Sequence, residues 1–383
     1  MQGLYLHIPF CEKKCVYCDF YSIESTDLME GFVGRLCTEL SLRATTEKPC
    51  TSIFFGGGTP SLLSPTQLER ILDRVHAGYS IAPDAECTME CNPGTVTLEN
   101  LKAYRSMGIN RLSFGVQSFV AEELSFLARI HSADDADKAM ELARAAGFDN
   151  VNMDLMFALP PQTLASLGYS IDRMLALGPD HISAYSLIFE PGTPLYAQWK
   201  KGHVHPHAED LDAEMYAYVM DRLGAAGYEQ YEVSNFARNG RTCLHNLTYW
   251  HADPYIAVGP SAHGLLDNTR YWNHRSLAAW GAKIDAGVLP QANTEVLDRH
   301  AQLVEYAFLH MRADGLPVQA AQQRFGIDLR RALQPQLQHW IDAGMVRDTG
   351  NTLRLTRDGY TVCDDITVAL LDALDRASAS ATT

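Results

Sequence analysis

Leu4-Tyr5-Leu6-His7-Ile8-Pro9-Phe10-Cys11-Glu12-Lys13-Lys14-Cys15-Val16-Tyr17-Cys18 runs from a short apolar strand, Leu4–Ile8, straight into a loop that carries three cysteines within eight residues. Three thiolates this close can wrap one metal centre. A structural zinc site wants four ligands, and no fourth Cys or His follows nearby. A [4Fe–4S] cube has four irons, so three cysteines leave one iron open to a small-molecule ligand. A cube that only carries electrons is closed by four. The spacing therefore favours a functional cluster at Cys11, Cys15 and Cys18 over zinc or over three incidental thiols.

Working outward, the whole chain has 383 residues and nine cysteines, and Cys37, Cys50, Cys87, Cys91, Cys243 and Cys363 are scattered. No basic segment followed by an apolar core and a small-residue cleavage site opens it, and no apolar run approaches the ~18 residues of a membrane span. The expected setting is the reducing cytoplasm, where clustered cysteines hold metal or react more often than they pair. Hydrophobic residues at 46% and charged residues at 20% describe a globular chain with ample core, and exclude disorder, collagen and coiled coil. A net charge of −15 argues against nucleic acid as a partner. It leaves peripheral membrane contact and a homodimer open.

Strands and helices alternate along the chain. Ser52–Phe55 reads as a second strand stopped by Gly56-Gly57-Gly58. Ser64-Pro65-Thr66-Gln67 opens a helix with a serine cap and a glutamine three residues on. A third strand, Glu86–Glu90, ends at Asn92-Pro93-Gly94. A phrase of helix, glycine stop and strand then recurs: Gly108 before Arg111–Val116, Gly147 before Val151–Leu155, Gly178 before His181–Leu187, and Gly227 before Tyr228–Val233. This alternation predicts a parallel, barrel-like α/β sheet covered by helices, with functional groups at the C-terminal strand ends. Past Gly287, helices over Arg299–Met311, Val318–Arg324 and Leu329–Ala343, with a hairpin around Asp348–Thr352, spell a winged-helix-like α+β unit. Residues 298–383 hold nine Lys/Arg against eleven Asp/Glu, so a DNA-binding role is disfavoured and a lid or packing role expected. The tail Arg376–Thr383 is expected to fray.

The cysteine loop, with Tyr17 before its last cysteine, resembles the signature of the radical S-adenosylmethionine (SAM) superfamily. Four further phrases resemble its HemN/HemW branch in the right order: Leu4–Cys11, Phe55-Gly56-Gly57-Gly58-Thr59-Pro60, Met89-Glu90-Cys91-Asn92-Pro93 and Gly115-Val116-Gln117-Ser118-Phe119. The resemblance implies a partial (β/α)6 TIM-like barrel over residues 1–235, an extension over 236–290, and a HemN-type winged-helix-like domain over 291–383. It also implies a [4Fe–4S] cluster on Cys11, Cys15 and Cys18, whose open iron chelates SAM. By the same resemblance Tyr5, Tyr17, Gly57, Gly58, Thr59, Glu90, Gln117, Arg129 and Asp154 bind SAM. Asp154 stands out without it, because a charge within the apolar strand Val151–Leu159 is costly unless paired. The branch usually has glycine where this chain has Ala158 and Pro161.

Within the branch, oxygen-independent coproporphyrinogen III oxidases carry another cysteine two residues after the third cluster ligand, and a long segment before the loop. Here Phe20 takes that cysteine's place and ten residues precede Cys11. Both departures resemble the heme-chaperone group instead, which implies heme and acceptor haemoproteins as partners; the oxidase stays the alternative. His245-Asn246-Leu247-Thr248-Tyr249-Trp250 resembles a motif of that group associated with heme. The imidazole of His245 can ligate iron, Asn246 can hydrogen-bond, Tyr249 and Trp250 can flank a porphyrin, and Cys243 is a lesser ligand. The residue types fit plain packing between barrel and tail as well. His203-Val204-His205-Pro206-His207 reads as a solvated loop. His263 is expected near the barrel mouth without an assigned role.

Overall fold

The computed structural model describes residues 1–381, with side chains to Arg376. Six strands lie side by side in chain order, all parallel: β1 (Gly3–Ile8), β2 (Thr45–Gly57), β3 (Tyr79–Cys91), β4 (Arg111–Gln117), β5 (Val151–Phe157) and β6 (His181–Ser186). Leu4, Leu6, Ile8, Phe55, Met89, Phe114, Met153 and Leu155 from these strands are buried in one continuous core. Helices Met29–Leu42, Pro65–Gly78, Leu98–Ser106, Ala133–Ala145, Leu164–Leu177 and Glu209–Ala225 pack over them. The serine cap holds: Ser64 Oγ accepts from Gln67 N, and Gln67 Oε1 accepts from Ser64 N. Gly178 ends its helix at φ 63, a left-handed turn that aims the chain into β6. The sheet is the partial barrel that the alternation predicts.

One strand differs from expectation. Tyr228–Val233 is not a further parallel strand; β7 (Glu229–Gln230) and β8 (Asn235–Ala237) form a short antiparallel hairpin, with β8 antiparallel to β6. Inward side chains pull the segment into a turn. The Tyr231 hydroxyl pairs with His181 Nε2 at 2.8 Å, and the buried Glu232 carboxylate accepts from Ser234 N at 2.8 Å and from Asn235 Nδ2. The Glu232 bonds are local and compete with a continued ladder, and the Tyr231 bond anchors the turn to β6.

On the other flank β9 (Tyr255–Val258) runs parallel to β1. It is followed by the antiparallel run β10 (His263–Leu266), β11 (Thr269–Asn273) and β12 (Gln291–Val296), so twelve strands make one open sheet. The C-terminal region has helices Arg299–Met311 and Val318–Phe325, and a three-stranded antiparallel sheet of Leu316–Pro317, Thr352–Leu355 and Val346–Asp348. The helix expected over Leu329–Ala343 is split into Leu329–Ala332 and Gln336–Asp342. Pro335 between them has no N–H to continue the ladder. The last helix runs Cys363–Ala381, covering most of the tail expected to fray; 382 and 383 lie outside the described residues.

Ala158, just after β5, sits in the left-handed region at φ 58 and is buried. For a residue with a Cβ that conformation costs about 1–2 kcal/mol. Ala158→Gly removes the strain but adds freedom to the unfolded chain. A net gain of about 0.5–1 kcal/mol is expected in urea unfolding. A lowered midpoint would contradict the strain.

Candidate functional site

A cavity of about 600 Å³ opens at the C-terminal ends of the parallel strands. The structure brings Tyr17, Cys18, Gly57, Gly58, Thr59, Glu90, Gln117, Arg129 and Asp154 around it, together with Tyr185 and Ile188. Gln117 ends β4 at φ 69, and such strain in a non-glycine residue is typical of sites that must aim a side chain. Glu90 Oε2 accepts from Gly57 N at 3.1 Å; burial, and then the nearby Asp154 charge, push its pKa up to about 8. Asp154 Oδ1 accepts from Asn152 Nδ2 at 2.7 Å, and burial raises its carboxyl too. Arg129 donates to Gly115 O and, at 3.4 Å, to Cys15 Sγ, while its buried Nε has no partner. Two carboxyls pushed up by burial and an orphaned guanidinium nitrogen are the marks of a site built for a polar ligand.

The glycine run is fixed by close approach. A Cβ on Gly58 would stand 2.6 Å from Phe10 O and 2.8 Å from Ile8 O, both backbone atoms that cannot yield. Gly58 N donates to Ile8 O at 2.8 Å and Thr59 N to Phe10 O at 2.7 Å, tying the run to the start of the cysteine loop. That loop is held from several sides. Cys11 N donates to Ile23 O at 3.0 Å and Leu195 N to Val16 O at 3.0 Å. Val16 and Tyr17 pack on a small separate core of Leu127, Met156, Leu159, Leu187 and Leu195. The three thiols are free and half-buried, and Cys11 Sγ accepts from Thr59 Oγ1 at 3.6 Å. Among the described residues no three His, Cys, Asp or Glu side chains close into a metal-binding group. The loop thus carries three soft donors on one turn without drawing them into a finished chelate. Three thiols of this kind suit an iron–sulfur cluster.

A second cavity, about 590 Å³, shares Asp19, Phe20, Gly57 and Glu90 with the first. Tyr5 lines this one rather than the first, with His7, Phe54, His245, Asn246, Tyr249, Tyr255, His263 and Arg275. His245, Asn246 and Tyr249 lie on a helix, Leu244–Trp250, where spacing i, i+4 puts His245 and Tyr249 on one face. Trp250 does not line the cavity. The helix begins on a carboxylate from β3. Glu86 accepts from Leu244 N at 3.2 Å and His245 N at 3.3 Å, supplying the anion that a helix N-terminus favours. His245 is 1% exposed; its Nδ1 pairs with Ser52 Oγ at 2.9 Å and its Nε2 with the Tyr249 hydroxyl at 2.8 Å. Burial lowers its pKa to about 3. Its ring stacks on Phe54 with centroids 5.0 Å apart. In the histidine tract, His207 Nε2 bonds Leu159 O at 2.8 Å. Sequence reasoning missed Glu86, Phe54, Tyr255 and Arg275. Phe54 carried a usable signal, since its neighbour Phe55 is buried in the core and alternation turns the next ring to the opposite face.

Residues 5–174 match the Radical SAM superfamily, and residues 297–362 match the HemN C-terminal domain. Heme chaperone HemW of Bacillus subtilis (strain 168) is 36% identical over 380 residues, covering 98% of this chain and 100% of that protein. The chain belongs to the HemW family. Heme chaperone HemW of Escherichia coli (strain K12) is 40% identical over 69% of this chain and 70% of its own. The solved structure of the Escherichia coli coproporphyrinogen III oxidase HemN, 22% identical, superposes with a TM-score of 0.83 over 98% of this chain and 90% of that one. At that identity it speaks for the fold alone. Membership of the HemW family within the radical SAM superfamily implies a [4Fe–4S] cluster and SAM as cofactors. Among the described residues no helix is long and apolar enough to cross a membrane.

Glu90 makes a pH signature for this HemW-family fold. Its carboxyl is held above the ordinary 4.5, at about 8, so its favourable contribution is present at acid pH and is lost as pH rises through 8. Glu90→Gln removes that loss. The variant's melting temperature is expected to exceed the wild type's by a margin that widens between about pH 5 and 8. A margin independent of pH would show that Glu90 is ionised throughout.

Proposed function

We propose that the chain is a cytoplasmic heme chaperone. In this reading Cys11, Cys15 and Cys18 hold a [4Fe–4S] cluster, SAM fills the first cavity, and heme occupies the second before passing to an acceptor haemoprotein. The observation that carries it is the pair of cavities with one wall in common, formed by Asp19, Phe20, Gly57 and Glu90. A bound cluster would supply one iron without a protein ligand, open to the amine and carboxylate of SAM. The N–H groups of Gly57, Gly58 and Thr59 are already committed to Glu90, Ile8 and Phe10, so this loop has carbonyl oxygens to offer an amino group. Glu90 is a further acceptor for it, and Asp154 reaches SAM hydroxyls. Arg129 steadies Cys15 and screens the negative charge of a thiolate cluster.

In the second cavity Tyr5, Phe54, His245 and Tyr249 form an aromatic wall for a flat porphyrin, and Arg275 supplies a cation for a propionate. Phe20 favours carriage over decarboxylation. It stands where oxidases of the resembled branch have a cysteine, and its exposed ring lies on the rim between the cavities.

The test is anaerobic reconstitution of the cluster followed by two parallel assays. Titration with heme should saturate at one site per chain. Coproporphyrinogen III supplied with SAM and a reductant should return unchanged. Formation of protoporphyrinogen would overturn the chaperone reading.

A further inference from the structure

Three histidines line the aromatic cavity, and a haem iron needs one ring nitrogen with a free lone pair. His7 has none to give. Its Nδ1 faces the Tyr5 hydroxyl at 3.1 Å and its Nε2 the Tyr21 carbonyl at 2.8 Å. It is 3% exposed, and its ring lies so close to Gly57 that a Cβ there would be 2.5 Å away. His245 is committed at both nitrogens, to Ser52 and Tyr249, and a Cβ on Gly3 would stand 3.1 Å from its ring. To reach iron, either buried ring would break two hydrogen bonds, and close neighbours restrict its turning.

His263 differs on each count. It is exposed, neither ring nitrogen makes a hydrogen bond among the described residues, and it opens onto the same cavity. It is also supported rather than loose. It begins β10, pairs across the ladder with Trp272 on β11, and stacks on the Trp272 ring at 5.9 Å and 18°. Ser261, in the left-handed region at φ 64, and Ala262 lead into it and line the same wall. We infer that His263 is the iron-ligating imidazole of the heme cavity and that His245 serves as part of its aromatic wall. Partial burial, and then the nearby Arg270 charge, lower the His263 pKa, which favours the neutral form that ligates.

This inference rests on the heme-chaperone reading and deepens it. The full chain is titrated with hemin and followed by its Soret band and by electron paramagnetic resonance. His263→Ala is expected to weaken binding about tenfold or more and to erase the imidazole-ligated signature, which added imidazole should restore. His245→Gln, which keeps a donor and an acceptor for Ser52 and Tyr249, is expected to retain the imidazole signature. An unchanged spectrum and affinity in His263→Ala would overturn the ligand while leaving heme binding in place. Loss of the signature in His245→Gln with its retention in His263→Ala would do the same. If the wild type binds no hemin, the chaperone reading falls, and this ligand with it.

Discussion

Cys15→Ser is expected to leave the chain folded and to strip it of iron. Cys15 is half-buried on the loop after β1, and its thiol takes part in no core packing; its side-chain partner is the Arg129 guanidinium at 3.4 Å. The loop's own anchors, Cys11 N to Ile23 O and Leu195 N to Val16 O, do not pass through the sulfur. A serine hydroxyl is a hard, weakly acidic donor and a poor substitute for thiolate on a soft iron–sulfur cluster. With three protein ligands in place of four, the cluster has no spare to lose. Reconstituted Cys15→Ser should therefore show near-zero iron and sulfide with unaltered far-ultraviolet dichroism. SAM binding should fall at least about a hundredfold by calorimetry, since the chelating iron is missing. The same substitution at Cys37, which donates to Arg70 O between helices Met29–Leu42 and Pro65–Gly78, should leave iron content intact. Full iron occupancy in Cys15→Ser would remove the cluster assignment.

The parallel sheet was legible because its stops are local. A helix that must end and turn back needs a left-handed residue, and glycine announces it, as at Gly178. Tyr228–Val233 misled because it follows such a stop and is rich in strand formers. What decides its path is Tyr231 reaching His181 across the sheet, a contact between residues fifty positions apart. The cysteine loop and glycine run could be read as adjacent, since both follow parallel neighbours β1 and β2. Their sharing of one wall with a second cavity could not. The second cavity exists because β9 returns to pair with β1 and carries β10 and β11 behind it, bringing His263 and Arg275 to Tyr5. The motif around His245 was visible, but not its hydrogen bonds, because Ser52 is 193 positions away and carries no signal of its own.

Glu86→Ala is expected to be the most destabilising single change near the site. Glu86, in β3, was read only as part of a strand, yet its carboxylate joins the parallel sheet to the helix that carries His245 and Tyr249. Oε1 accepts from Cys243 Sγ at 3.4 Å and His245 N at 3.3 Å, and Oε2 accepts from Leu244 N at 3.2 Å. Cys243, at the N-cap position, makes no capping bond to the helix N–H groups from its own side chain, so Glu86 does so in its place. Arg111, 2% exposed, has its Nε 3.9 Å from Glu86 Oε2 and no hydrogen bond at that nitrogen. Truncation to alanine thus strands two helix N–H groups and a buried guanidinium together. Breaking a buried pair by removing one partner costs about 3–5 kcal/mol, whereas replacing both by apolar groups is far milder. Urea unfolding should show a loss of that size for Glu86→Ala and a smaller one for Glu86→Gln, which keeps an acceptor but not the charge. Adding Arg111→Met to Glu86→Ala should recover part of the loss, because the uncompensated charge is then gone. A cost below about 1 kcal/mol would mean that water reaches Arg111 and that the pair is no strut. A full-sized loss with no recovery in the double variant would put the whole effect in the helix N-terminus. In that case Glu86 sets the start of the helix that carries His245 and Tyr249, and hemin affinity should fall in step with stability across the three variants.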